Sequence, residues 1–249
     1  MDKTDPLRQL WLAAVLLTRL PLPHLPATAF KAGPRAVWAY PLVGLGVGAV
    51  GALAGQLALW AGIPPLAACA LALGAMMLLT GAMHEDGLAD TCDGFWGGTS
   101  TPRRLEIMCD SQIGTFGVLA LVIVSLLKIS ALAALSGSWW AALIVAAALS
   151  RGMMPALMWA LPPARVDGLS HSVGRPTMRA ASAAFAIGAT IALAGLGLAG
   201  VLVIGISALV GLGTALIAKR KIGGQTGDVL GATQQLSEAV ILLTCSALA

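Results

Sequence analysis

TFGVLALVIVSLLKISALAAL (Thr115–Leu135) runs for 21 residues with one charge, Lys128. About 20 apolar residues cover the roughly 30 Å hydrocarbon core of a bilayer as an α-helix, so this stretch reads as a membrane span. Outward from it, apolar runs separated by polar breaks recur at 41–60, 65–83, 139–161, 183–199, 201–218 and 229–248. The sequence therefore predicts an all-α, polytopic integral membrane protein of six or seven helices, forming one membrane domain over residues 1–249. Composition agrees. Only 10% of residues are charged and 58% are hydrophobic, where a soluble domain carries about 25% charged residues. Leu7–Leu20, flanked by Arg8 and Arg19 and closed by Pro21 and Pro23, is short for a span and is expected to lie along the interface or re-enter. Gly44, Gly48, Gly51 and Gly55 repeat at the spacing that lets helices pack closely in lipid. Four cysteines without paired spacing suggest neither a disulfide framework nor a zinc site, and the polar Met1–Pro6 start resembles no cleaved signal.

Lysine and arginine set the expected orientation. If residues 1–40 are cytoplasmic and the seven runs alternate, the segments 1–40, 84–114, 162–182 and 219–228 share that side. They hold 13 of the 15 basic residues, Lys3 among them, leaving Lys128 and Arg151 inside spans. Ten of the 11 acidic residues fall on the same side, and only Glu238 lies in a span. Transporters more often place such groups near the midplane. One face carrying nearly all the titratable groups points to an enzyme working at the cytoplasmic interface, with 84–114 as its catalytic segment and 1–40 as a cytoplasmic or interfacial arm.

The densest polar feature is His84-Glu85-Asp86-Gly87-Leu88-Ala89-Asp90-Thr91-Cys92-Asp93-Gly94. At helical spacing Asp86, Asp90 and Asp93 occupy a stripe roughly 60° wide. Three like charges on one stripe repel, and no basic residue lies between 84 and 102. A divalent cation removes the repulsion. Mg2+ suits it best, because it prefers oxygen ligands and is shared between a few carboxylates and substrate phosphates. The glycines are expected to weaken the helix and admit a ligand close to the backbone. The alternative is a solvated, acidic helix end. His84 borders the cluster as a candidate base or phosphate donor.

In Arg103-Arg104-Leu105-Glu106-Ile107-Met108-Cys109-Asp110, Glu106 and Asp110 share a helix face. Asp110 joins the expected metal set, Glu106 is a weaker candidate for substrate binding, and an ordinary interfacial helix competes with both. Gly223-Gly224-Gln225-Thr226-Gly227-Asp228 opens the last run. Free N–H groups there suit a phosphate, with Thr226 and Asp228 as substrate contacts, or Asp228 simply caps the helix. Lys219-Arg220-Lys221 reads as a topology anchor. His171 and Arg175 are candidate substrate contacts in a loop, with plain surface placement the competing reading for His171; His24 carries no role.

Arg151 and Glu238 lie about 15 and 14 Å into their helices at a 1.5 Å rise. At matched depth each is costly alone, so a pair is expected, one that charge reversal at both positions would restore. The competing role for Arg151 is to reach substrate phosphate. Lys128 is expected to snorkel to the far interface.

Four stretches together resemble the cobalamin synthase family, adenosylcobinamide-GDP ribazoletransferase: Leu16–Pro23, His84–Gly94, Leu105–Gly117 with its Ile-Gly-Thr-Phe-Gly run, and Gly223–Gly231. The resemblance implies a multi-pass enzyme of the inner membrane with a cytoplasmic site and a Mg2+ requirement. It would join adenosylcobinamide-GDP to α-ribazole, or to its 5′-phosphate, releasing GMP. No nucleic-acid partner is implied, and the glycine seams leave room for a homo-oligomer. Cys109 and Gln112 stand where the family is expected to carry basic residues, which shifts phosphate binding to Arg103, Arg104 or Arg175. In this reading Asp86, Asp90 and Asp110 hold Mg2+, and Asp93 is a further ligand or the general base.

Three rivals remain. A CDP-alcohol phosphotransferase is disfavoured because Asp90 follows Ala89 where its pattern has arginine. A polyprenyl-type transferase lacks its second aspartate motif here. A corrinoid or small-molecule transporter rests on the span count alone.

Overall fold

The computed structural model describes residues 5–23, 25–135, 137 and 139–249; Lys3 and His24 lie outside the described residues. The described chain is helical, with one isolated β-bridge between Pro163 and Gln225. The helices that matter here are α1 (Pro6–Leu17), α2 (Tyr40–Trp60), α3 (Pro65–Thr80), α4 (Met83–Gly97), α5 (Thr101–Ile107), α6 (Thr115–Ala134), α7 (Trp139–Ala160), α8 (Leu169–Val173), α9 (Met178–Leu196), α10 (Ala199–Ile222) and α11 (Gly227–Leu248). Among the described residues five helices are long and apolar enough to cross a membrane, ending in α2, α6, α7, α9 and α10, or six if α3 and α4 form one broken span. The polytopic, all-α architecture is the one expected.

Two expected spans take other forms. The chain bends by 90° between α3 and α4. Gly81 (φ 67°) and Ala82 (φ 53°) make the corner, both left-handed. Glycine does so without strain, whereas alanine at positive φ is uncommon and costly. The acidic stretch is thereby turned away from the direction of α3 and becomes a helix of its own. The final helix, α11, carries Gln234, Gln235 and Glu238, all buried. It is an internal helix more than a lipid-facing one.

Helix α7 is the centre of the bundle. It packs against α2, α9 and α11, and its middle turns, Ala146 to Leu149, are fully buried. Close packing with α2 depends on glycine: a Cβ at Gly48 would meet the Ile144 Cα at 2.7 Å, a separation that leaves room for hydrogen only.

A group of charges is buried where α6, α7 and α11 meet. Lys128 Nζ donates to Glu238 Oε1 at 3.0 Å and to Gln235 Oε1 at 2.6 Å. Arg151 Nη1 lies 3.7 Å from Glu238 Oε2 and donates to the Ala147 carbonyl at 3.0 Å. Gln234 Nε2 donates to Ser150 Oγ and Glu238 Oε2, and Gln235 Nε2 to Glu85 Oε1 at 2.9 Å. The expected Arg151–Glu238 pair is present, and Arg151 is accordingly held in the core instead of reaching into solvent. Lys128 corrects the sequence reading. It does not snorkel; it is 1% exposed because an acceptor pair on α11 meets it at its own depth. Lys128 and Arg151 are balanced by Glu238 and, through Gln235, by Glu85.

Removing one member leaves a buried charge unpaired, at a cost of about 3–5 kcal/mol. Glu238→Gln should therefore lower the unfolding temperature sharply in detergent, and Lys128→Met added to it should recover only part of the loss, because Arg151 still lacks its carboxylate. Exchanging Arg151 and Glu238 should not rescue, because the new cation at 238 would face Lys128.

Candidate active site

The site is built where α4 crosses the N-terminus of α11. A Cβ at Gly87 would meet the Asp228 carbonyl oxygen at 2.8 Å, and one at Gly231 the His84 carbonyl oxygen at 3.1 Å. The two glycines let the backbones touch, so the role expected for Gly87, admitting a ligand, is taken by a helix contact. Helix α4 stays regular throughout. Its acidic stripe then faces the first turn of α11, which places Asp86 and Asp90 with Asp228.

A pairing of two loops brings in a cation. The loop after α7 pairs with the loop before α11: Ala164 N donates to the Gln225 carbonyl at 2.8 Å, and Gln225 N to the Pro162 carbonyl at 2.9 Å. Ser170 Oγ fastens the Gln225 side chain at 2.7 Å. Gly223 ends α10 in the left-handed conformation, at φ 75°. The glycine loop expected to cradle phosphate thus serves mainly as a pairing strip. Its product is the position of Arg165, whose Nη2 lies 3.3 Å from Asp228 Oδ2. Arg165 also reaches Asp167 at 3.5 Å and donates from Nη1 to Cys109 Sγ at 2.9 Å. In the sequence Arg165 is only one of the basic residues of the 162–182 segment. Nothing in its spacing from Asp228 links the two, since the pairing of loops 60 residues apart is a tertiary event.

Burial comes first in raising the Asp90 carboxyl to about 7, followed by the charges of Asp86, Asp228 and Asp93, with Arg165 pulling the other way. Burial likewise raises Asp228, opposed by Arg165 and by the Thr226 hydroxyl, which donates to Asp228 Oδ2 at 3.1 Å while accepting from Val229 N as the helix cap. Thr226 and Asp228 therefore cap α11 and line the acidic group together. Among the described residues no three His, Cys, Asp or Glu side chains converge closely enough to enclose a metal ion. Mg2+ does not require that. It commonly takes one or two protein carboxylates and completes its octahedron with water and substrate phosphate. An all-oxygen cluster with raised affinity for protons, and one arginine as counter-ion, fits such a cation.

The remaining candidates separate from this group. Asp93 accepts from Gly114 N at 2.7 Å and Gly117 N at 2.9 Å, so both carboxylate oxygens cap the N-terminus of α6. A Cβ at Gly114 would strike Asp93 Oδ1 at 2.5 Å. The Gly-Thr-Phe-Gly run is glycine-flanked for this reason, and Asp93 is held as the cap of α6. Asp110, expected in the metal set, is exposed and accepts from Gln112 N at 3.0 Å in its own turn. Arg103 pairs with Glu106 at 2.8 Å on the exposed face of α5. Arg104 Nη1 donates to the Lys221 carbonyl at 3.0 Å, and Arg175 Nε and Nη2 to the Trp159 carbonyl at 2.8 and 2.6 Å. Both satisfy carbonyls at helix C-termini, where cations are favoured. Lys221 donates to the Phe95 carbonyl and lies over the Trp96 ring, which ties α10 to α4. His171 is exposed. His84 is buried beside the acidic group.

The chain belongs to the cobalamin-5-phosphate synthase family, whose pattern it matches over residues 9–246. It is 46% identical over 242 residues to an adenosylcobinamide-GDP ribazoletransferase of Bradyrhizobium diazoefficiens, covering 95% of this chain and 92% of that protein. Enzymes of the same name from Mesorhizobium japonicum (44% identical; 94% and 91% covered) and Azorhizobium caulinodans (46%; 91% and 90%) are similar along nearly their whole length. No solved structure matches it.

Two outcomes separate the carboxylates. Asp93→Ala leaves two backbone N–H groups at a helix start without their acceptor and should cost about 1–3 kcal/mol, read as a lower unfolding temperature; Asp86→Ala should not lower it. Because the folded-state pKa of Asp90 is raised, its contribution to stability is fully present below its ordinary value of 3.8 and is lost as pH rises through about 7. In chelator, Asp90→Asn should therefore gain stability over the parent progressively between pH 4 and 7, with the gain level above that, as followed by thermal unfolding.

Proposed function

We infer that this protein is an adenosylcobinamide-GDP ribazoletransferase. It transfers the cobinamide-phosphate moiety of adenosylcobinamide-GDP to a free ribose hydroxyl of α-ribazole or of α-ribazole 5′-phosphate, whose 5′-oxygen is already esterified, and releases GMP. The observation that carries the reading is the meeting of Asp86, Asp90, Asp228 and Arg165 at the α4–α11 crossing, in a chain that follows the family over nearly its full length. Such a group suits phosphoryl transfer, which depends chiefly on positioning and charge neutralisation.

In the proposed reaction a free ribose hydroxyl oxygen of the acceptor attacks the phosphorus bonded to cobinamide, and the bond from that phosphorus to the GMP oxygen breaks. The hydroxyl proton passes to Asp90, the half-buried carboxylate on the same face of α4 as Asp86, as general base. Asp93, with both oxygens engaged, leaves that role to Asp90. Arg165 binds the diphosphate. It reaches Cys109, the position at which the sequence departs from the expected basic residue, and supplies from another loop the charge missing there. Asp86 and Asp228 would hold a Mg2+ ion, which would neutralise charge on the diphosphate. We place the protein in the inner membrane with the site facing the cytoplasm, on the support of the basic residues gathered in the polar segments.

Purified protein in nanodiscs, given adenosylcobinamide-GDP and α-ribazole, should release GMP and form cobalamin with Mg2+ and not with chelator. Asp86→Ala should lose at least about a hundredfold in turnover, in the range seen when a proton-transfer or charge-stabilising group is removed, while keeping its fold. An active Asp86→Ala protein would remove the core of the mechanism.

A further inference from the structure

Beside the carboxylates lies a cavity of about 190 Å³, bounded by α1, α4, α7, α8 and α11. Its lining combines Asp86, Asp228 and Arg165 with Met83, Met154 and Met158. His84 lines it, is 1% exposed, and has no hydrogen-bond partner in the protein on either ring nitrogen. Buried polar groups without partners are rare and costly, so the unpartnered imidazole of a cavity-lining residue is a candidate partner for a ligand. A site of this size is selective. An apolar cavity of about 150 Å³ takes a benzene ring, whereas pockets for drug-sized ligands run to about 300–1,000 Å³. The cavity admits a flat mono- or bicyclic ring and excludes a corrin. Methionine sulfurs contact aromatic rings favourably at their edges.

We propose that this cavity is the acceptor subsite, holding the aromatic base of the nucleoside among Met83, Met154 and Met158 with its ring nitrogen accepting an N–H from His84, and directing a free ribose hydroxyl toward Asp86 and Asp228. The proposal rests on the ribazoletransferase reading. A ribosyl benzimidazole has one free in-plane nitrogen, an acceptor, and no ring N–H. A neutral imidazole offers one donor, so a single hydrogen bond satisfies both rings. His84 is in this account a specificity-determining residue that binds the base, and proton transfer falls to the carboxylates.

The test is steady-state kinetics in nanodiscs with both substrates varied, using free benzimidazole as the probe on the parent protein. Benzimidazole should compete with α-ribazole and not with adenosylcobinamide-GDP. Met154→Trp, which fills the cavity, should raise KM for α-ribazole at least tenfold and leave KM for adenosylcobinamide-GDP unchanged. His84→Leu should raise the same KM by roughly tenfold, the value of one hydrogen bond, and His84→Gln, which keeps a donor, should restore part of it. Competition of benzimidazole with adenosylcobinamide-GDP instead, or an unchanged α-ribazole KM in a folded Met154→Trp protein, overturns the subsite while product formation upholds the reaction. Parent protein that releases no GMP from the two substrates with Mg2+ overturns the reaction and the subsite together.

Discussion

Glu238 is held between Lys128 and Arg151 inside the bundle, and that carboxylate joins α11 to α6 and α7 at once. Gln235, one turn earlier, extends the network to Glu85 on α4. Four helices are thereby locked in register by groups that are expensive to bury and more expensive to separate. Such a network contributes little net stability over an apolar core of the same shape. Its effect is to fix which face of α4 looks at α11, because a rotation of either helix would leave a charge unpaired.

That rotation matters for the chemistry. With Glu85 turned inward to Gln235, Asp86 and Asp90 are turned toward the start of α11, and the paired glycines Gly87 and Gly231 remove the bulk that would hold the helices apart. The raised proton affinity of Asp90 is a consequence of this approach. Arg165, delivered by the loop pairing at Pro162–Ala164 with Gln225, keeps the carboxylates from being an unrelieved negative cluster. The active-site electrostatics and the membrane-buried ion network are two ends of one arrangement, linked through neighbouring residues of α4.

Much of the polar sequence around the site holds helix ends and loops together. Arg104 and Arg175 satisfy helix ends, Asp93 caps α6, and the Gly223–Gly224 loop forms a backbone pairing. Each resembles a phosphate or metal contact by residue type, because the groups that bind phosphate, N–H donors and guanidinium ions, are the ones that satisfy helix termini.

By itself the sequence determined the class of fold, the number of apolar runs and the side on which charge gathers, since these follow from local hydropathy and need no knowledge of neighbours. It also singled out Asp86, Asp90, Asp228 and the Arg151–Glu238 pair, because acidic stripes, helix starts and matched depths are visible along one helix. Only the tertiary structure decided that Lys128 joins that pair, that Asp93 serves α6, that α3 turns into α4 by 90°, and that Arg165 completes the site. Each of these depends on what lies across a helix or loop contact, between residues distant in the chain, where spacing carries no information about which groups meet.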